Sequence, residues 1–156
     1  MMGVAVHALL RMPFLWGGLE VESVDSHVVR ASFIHEPLEE ACHPALAFLR
    51  GQLVRYLEGS SVDLAKVSVD TSSCTAFQRG VYTALRGVGW GESTTYGELA
   101  DALGCKSPRA VGGALAKNRH LLFVPCHRVM ASRGLGGFSE GTALKRALFE
   151  LEGGLC

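Results

Sequence analysis

Paired cysteines and metal-binding spacings are missing from this chain. Its five cysteines (Cys42, Cys74, Cys105, Cys126 and Cys156) are odd in number and widely spaced, and no CxxC occurs. Neither a disulfide framework nor a zinc knuckle is expected. Cys42-His43 offers two metal ligands, but no second pair stands at a metal-site spacing. Long apolar runs are missing too, so no segment has the length of a bilayer span. The opening MMGVAVHALLRMP lacks the basic start and small-residue cleavage site of a signal peptide. We expect a soluble, cytoplasmic protein with no membrane partner. Amides are scarce: Asn118 is the single asparagine, beside Gln52 and Gln78. That scarcity suits a hot habitat, although five cysteines weigh against it. It also marks Asn118 as a residue kept for a purpose.

What is present suits a compact fold. The 156 residues are 48% apolar and 19% charged, enough to bury a sizeable core. Formal net charge is zero, but it is unevenly spread. Residues 1–73 hold five Lys/Arg against nine Asp/Glu, a net of −4, whereas residues 104–146 hold eight against Glu140 alone, a net of +7. A basic segment of this kind fits a polyanionic partner or, equally, a solvated basic face.

The pattern predicts two domains, 1–73 and 74–156. The first is β-rich. LEVESV alternates, with Leu19 and Val21 apolar and Val24 one residue out of step. HVVRASF follows, and Gly17-Gly18 is a turn signal. PALAFLRGQLVRYLEG reads as a helix with Leu46, Leu49, Leu53 and Leu57 on one face, and residues 60–73 as a short strand and linker. The second domain is mainly helical. TAFQRGVYTALRGV places Phe77, Val81 and Leu85 together. TTYGELADALG is a short helix, and SPRAVGGALAKN is another, with Ser107 as N-cap and Pro108 in the first turn. This pair predicts a helix-turn-helix, or a plain helical hairpin. The last helix, TALKRALFELEG, carries Ala143, Leu144, Ala147, Leu148 and Leu151 on its apolar face.

Gly112 and Gly113 sit inside a predicted helix, where each costs about 1 kcal/mol relative to alanine. Either tight core packing or close approach of a ligand accounts for them. Lys106 and Arg109 at the start of that helix favour a nucleic-acid groove. In FVPCHRVM, Cys126 needs a base or a positive field to become a thiolate. His127 is adjacent, yet neighbours on a strand point to opposite faces. The pair therefore needs a bend, which Pro125 favours, or a bridging water. A buried structural cysteine is the plain alternative.

PCHRV at 125–129 resembles the active-site signature of the O6-alkylguanine-DNA alkyltransferases, the methylated-DNA–protein-cysteine methyltransferases. TAFQRGVYTALRGVGWGESTTYGELADALG, SPRAVGGALAKN and GFSEGTALKRALFELEG resemble the family's helix-turn-helix, its recognition helix and its last helix, over about residues 74–153. The resemblance implies an α+β fold, in which a small ribonuclease-H-like β-rich domain precedes the helical one. It implies that Cys126 accepts the alkyl group, that His127 draws its proton through a water, and that Glu152 orients His127. Asn118 then ties the turn before the cysteine, and Tyr96 presses a phosphate and donates a proton toward the guanine. Arg109 fills the gap left by the extruded nucleotide, while Lys106, Ser107, Ala110, Gly112 and Gly113 meet DNA in the minor groove. Phe138, Ser139 and Val129 form the base pocket.

The implied reaction is single-turnover transfer from O6-alkylguanine, and from O4-alkylthymine, in double-stranded DNA to Cys126. It needs no cofactor, and the protein acts as a monomer at the nucleoid. Three departures concern substrate range: Phe138 stands where tyrosine is common, Glu140 where glycine is frequent, and GVGWG lacks the usual proline. Three other readings stay open: a sensor that binds the lesion without reacting, a helix-turn-helix regulator, and a cysteine hydrolase.

Overall fold

The computed structural model describes residues 4–36, 39–138 and 141–154. The chain is a mixed α+β protein that packs into two compact units, residues 1–70 with 119–123, and residues 71–118 with 124–156.

The first unit is built on a four-stranded antiparallel sheet of order β3-β2-β1-β4. The strands are β1 (His7–Phe14), β2 (Gly17–Val24), β3 (His27–Ile34) and β4 (Ala41–Cys42). Alternation does its usual work in β1, where Ala8, Leu10, Met12 and Phe14 face the core. In β2, Leu19, Val21 and Ser23 are buried in strict alternation, so the out-of-step Val24 falls on the other face and is half-buried; the bulge opposite Glu22/Ser23 takes up Val29 of β3. Gly17-Gly18 is not the turn. The hairpin turns one step earlier, at Leu15-Trp16, and Gly17 opens β2. A Cβ at Gly17 would collide with the Ile34 carbonyl and the Phe33 ring, so the residue is small to let two strands approach.

Helix α1 (Ala47–Leu57) follows a 3-10 turn at Pro44–Leu46. It buries Leu49, Leu53 and Tyr56, with Tyr56 stacked on Phe14 at 6.2 Å between ring centres. Leu57 is only half-buried. Residues 60–73 form a 3-10 turn at Leu64–Lys66 and a one-residue bridge from Val69 to Val28, not a strand. Segment 119–123 adds a similar bridge, His120 to Ala31.

The second unit holds α2 (Ala76–Leu85), β5 (Thr94–Thr95), α3 (Tyr96–Ala102), α4 (Pro108–Ala116), β6 (Val129–Met130) and α5 (Thr142–Leu151). Local chemistry sets the helix ends. Thr75 and Gln78 form a capping box, Thr95 caps α3, and Ser107 caps α4 ahead of Pro108. Helix α3 stops where Gly104 takes a φ of +66°. Its N–H then bonds the Asp101 carbonyl, and that of Cys105 bonds Ala100. Helices α3 and α4, joined through residues 103–107, pack on each other and on α2.

Tyr82 of α2 anchors this arrangement, its buried hydroxyl donating to the Ala114 carbonyl at 2.6 Å. Phe77 turns outward at 40% exposure, because Val81, Tyr82 and Leu85 take the core face. No helix among the described residues is long and apolar enough to cross a membrane.

Candidate active site

The run ahead of Cys126 is not a strand. Residues 121–123 form a turn, and Leu122 adopts a left-handed φ of 74°. Pro125 then bends the chain sharply. At φ −79° and ψ 65° it is the centre of an inverse γ-turn, closed by the Cys126 N–H on the Val124 carbonyl at 2.8 Å. One 3-10 turn, Cys126–Arg128, follows directly. The bend that a cysteine and its neighbouring histidine need is therefore built from Pro125.

Asn118 ties this bend to the end of α4. Its side-chain amide donates to the Val124 carbonyl at 3.0 Å and to the Cys126 sulfur at 3.3 Å. The sulfur thus faces a donor, which suits a thiolate better than a thiol. Parallel pairing of β5 with β6, Thr94 opposite Val129, fixes the start of α3 beside the same turn. Tyr96, the first residue of α3, lines a cavity of about 250 Å³ with Gly112, Leu115, Ala116, Cys126, Gly137 and Phe138. Burial, and then the charge of Cys126, hold the Tyr96 hydroxyl above its ordinary value. It stays a neutral proton donor.

Behind the sulfur lies a closed polar cluster. His127 Nε2–H donates to Glu152 Oε2 at 2.7 Å, and Arg128 Nε–H donates to Glu152 Oε1 at 2.7 Å. Arg128 also donates to the Val88 carbonyl at 2.6 Å. All three side chains are buried. Burial works against the Glu152 carboxylate, but the bonds and charges of His127 and Arg128 outweigh it and bring its pKa down to about 2. Burial lowers the His127 pKa, more than Glu152 raises it, so the imidazole is neutral. With its proton on Nε2, the buried Nδ1 keeps a lone pair and meets no protein donor among the described residues. That nitrogen can accept a proton.

Glu152 is the C-cap of α5. Gly153, at φ +77°, and Gly154 send their N–H groups back to Glu150 and Phe149 and lock the carboxylate's backbone.

A family model described as "6-O-methylguanine DNA methyltransferase, DNA binding domain" matches residues 76–154. A methylated-DNA–protein-cysteine methyltransferase of Metallosphaera sedula is 42% identical over 142 residues, covering 90% of this chain and 89% of its own. The chain belongs to the methylated-DNA–protein-cysteine methyltransferase family. The crystal structure of Mycobacterium tuberculosis O6-methylguanine methyltransferase superposes with a TM-score of 0.77 at 31% identity, over 94% of this chain and 93% of that one. A second structure from that organism, solved in complex with DNA, gives 0.75 at 31% identity, over 91% and 90%.

Within this methyltransferase-family chain, Cys126, His127, Glu152, Asn118 and Tyr96 lie around one turn. Phe138 lies on the cavity wall, whereas Val129 is buried in the core and meets β5 through its backbone. Ser139 and Glu140 fall outside the described residues. Lys106, Ser107, Arg109 and Ala110 are exposed around the first turn of α4. Core packing does not explain the two glycines of α4. A Cβ at Gly113 would meet nothing within 4 Å, and one at Gly112 would meet only the Tyr96 ring at 3.9 Å.

Sequence reasoning passed over Leu115, Ala116 and Gly137 as cavity walls, the shared role of Arg128, and Lys145. This lysine of α5 is fully buried and donates from Nζ to the Gly137 carbonyl at 3.0 Å. One signal pointed to it: residues 145, 149 and 152 fall on one helical stripe that ends at Glu152.

Proposed function

We propose that this chain repairs DNA by direct reversal, moving the alkyl group of O6-alkylguanine onto Cys126. The observation that carries this reading is the buried Cys126 sulfur at the wall of an open cavity. The Asn118 amide meets that sulfur, and the adjacent histidine is oriented by a buried carboxylate. His127 Nδ1 draws the thiol proton through a water, while Glu152 and Arg128 hold the imidazole behind it. The sulfur attacks the alkyl carbon, the S–C bond forms as the C–O6 bond breaks, and the electron pair leaves with guanine. Tyr96 gives guanine a proton. The product is a thioether, from which no group here regenerates the thiolate. One molecule is therefore consumed per lesion.

The target base reaches the cavity by leaving the duplex. Helix α4 lies in the minor groove, with Gly112 and Gly113 allowing its backbone to approach and Arg109 filling the vacated stack. Lys106, Ser107 and Ala110 flank that contact, and Phe138 meets the base at the cavity wall. The protein acts as a monomer, and O4-alkylthymine is a second substrate. The exposed positions around the first turn of α4, with the open space at Gly113, support this docking.

Intact mass after mixing with an oligonucleotide bearing O6-methylguanine tests the reading. One methyl group is expected on the peptide holding Cys126 and none in Cys126→Ser. An unchanged mass with retained DNA binding would favour a non-reacting sensor.

A further inference from the structure

Among the described residues, the second unit buries four ionisable side chains besides Cys126, the neutral Tyr82 and the half-buried Tyr96: His127, Arg128, Lys145 and Glu152. Both oxygens of Glu152 are engaged, one by His127 and one by Arg128. Lys145 stands apart. Its ammonium has no carboxylate within 4 Å among the described residues. Its one protein acceptor among those residues is the Gly137 carbonyl, and it lies 5.9 Å from the centre of the Tyr96 ring. A buried ammonium facing only a carbonyl and an aromatic ring is poorly compensated. With Arg128 balancing Glu152 and the imidazole neutral, the cluster carries one positive charge in excess. Passing the Cys126 thiol proton through His127 to solvent removes that excess.

We infer that Lys145 is a positioning residue for the nucleophile: its buried ammonium is the counter-charge that favours Cys126 as a thiolate beneath the cavity. The inference rests on reading Cys126 as the alkyl acceptor. Lys145 Nζ bonds the Gly137 carbonyl and lies over the Tyr96 ring, and both of those residues wall the cavity with Cys126. Four elements supply the titratable and polar groups around Cys126. His127 and Arg128 come from its own turn, Lys145 and Glu152 from α5, Tyr96 from α3, and the Asn118 amide from the end of α4. Among the described residues Glu152 is the one anion of this cluster, and Arg128 neutralises it. Burial pulls the Lys145 ammonium below its ordinary value, and the charge on Cys126 pushes it back up. Ammonium and thiolate therefore support each other.

A purely structural role is the competing account. The bond to Gly137 holds a glycine-rich loop, and a Cβ on Gly136 would lie 3.4 Å from Nζ. Lys145→Gln separates the two accounts, because its amide can still donate to Gly137 but carries no charge.

The test is the pH dependence of Cys126 alkylation by iodoacetamide, on the full chain without DNA, read by mass on the Cys126 peptide. The thiolate displaces iodide, so the rate follows ionisation. The wild-type midpoint is expected below the ordinary thiol value of about 8.5. Lys145→Met and Lys145→Gln should each raise it by about one pH unit or more, and Lys145→Arg should restore it. A wild-type midpoint at or above about 8.5 overturns the inference even if the methionine variant does not fold. A wild-type midpoint retained in Lys145→Gln overturns it as well.

Methyl transfer from the O6-methylguanine oligonucleotide is measured alongside. Transfer with an ordinary thiol midpoint removes the role of Lys145 and leaves the repair reading intact. A depressed midpoint that depends on Lys145, without transfer, removes the repair reading and leaves the pairing.

Discussion

Replacing Gly113 by alanine should make the protein more stable and a worse repairer of duplex DNA. The residue lies inside α4, has no left-handed φ, and its Cβ would meet nothing within 4 Å. The helix therefore gains the usual propensity difference of about 0.8–1 kcal/mol without a clash. The melting temperature should rise by roughly 2–4 °C if the whole chain melts together, and by roughly 4–8 °C if the second unit melts alone.

On DNA the sign reverses. With α4 docked in the groove as proposed, a methyl group on its backbone overpacks the interface by about 1–3 kcal/mol. That corresponds to a roughly 5- to 150-fold weaker encounter. Single-turnover transfer from a duplex should slow accordingly, while transfer from a free O6-alkylguanine base should not. Gly112→Ala should slow both, because Gly112 lines the cavity itself. A more stable Gly113→Ala variant with undiminished duplex repair would refute the view that this glycine is kept for DNA. A destabilised variant would refute the packing description of α4.

Acid should lower the stability of the protein in two steps. His127 is depressed below 6.5 by burial, so its contribution is present above that value and fades as pH falls. Glu152 drops from 4.5 to about 2, a contribution of roughly 3 kcal/mol present above pH 4.5 and lost as pH falls toward 2. Melting temperature against pH reads both limbs, and Glu152→Gln should abolish the lower one; a lower limb that survives would show another group is responsible. Asn118→Ala should cost only about 1 kcal/mol, since the Val124 carbonyl keeps the Cys126 N–H. It should nevertheless slow methyl transfer roughly tenfold or more, because the sulfur loses its donor. Denaturant midpoints and single-turnover rates check this, and an unchanged rate would exclude Asn118 from the site.

Features set within a few residues were legible from the chain. Ser107 caps its helix ahead of Pro108, and Gly104 and Gly153 follow the ends of theirs, because a helix end needs only the nearest backbone groups. The single asparagine, Asn118, and the PCHRV stretch marked the chemical centre for a similar reason: rare residue types in a fixed order need no tertiary contact to be noticed. Gly17-Gly18 was misleading because its cause is distant. Ile34 and Phe33 lie some sixteen residues away and become neighbours only when β2 pairs with β3.

The tertiary structure decided which face of each helix is buried and which charges are shared. The stripe from Phe77 to Leu85 was a sound helical period, but the rotation of α2 follows from Tyr82 reaching the Ala114 carbonyl. Arg128 and Lys145 look like solvated cations in the sequence. Arg128 is buried because Val88 and Glu152, forty and twenty-four residues away, supply its acceptors. Lys145 is buried because α5 turns it toward Gly137. The sequence by itself determined where the nucleophile, its base and the helix ends lie, since these follow from local spacing and backbone preference. Only the fold decided the electrostatics around the sulfur, since the energy of a buried charge depends on partners that folding brings near.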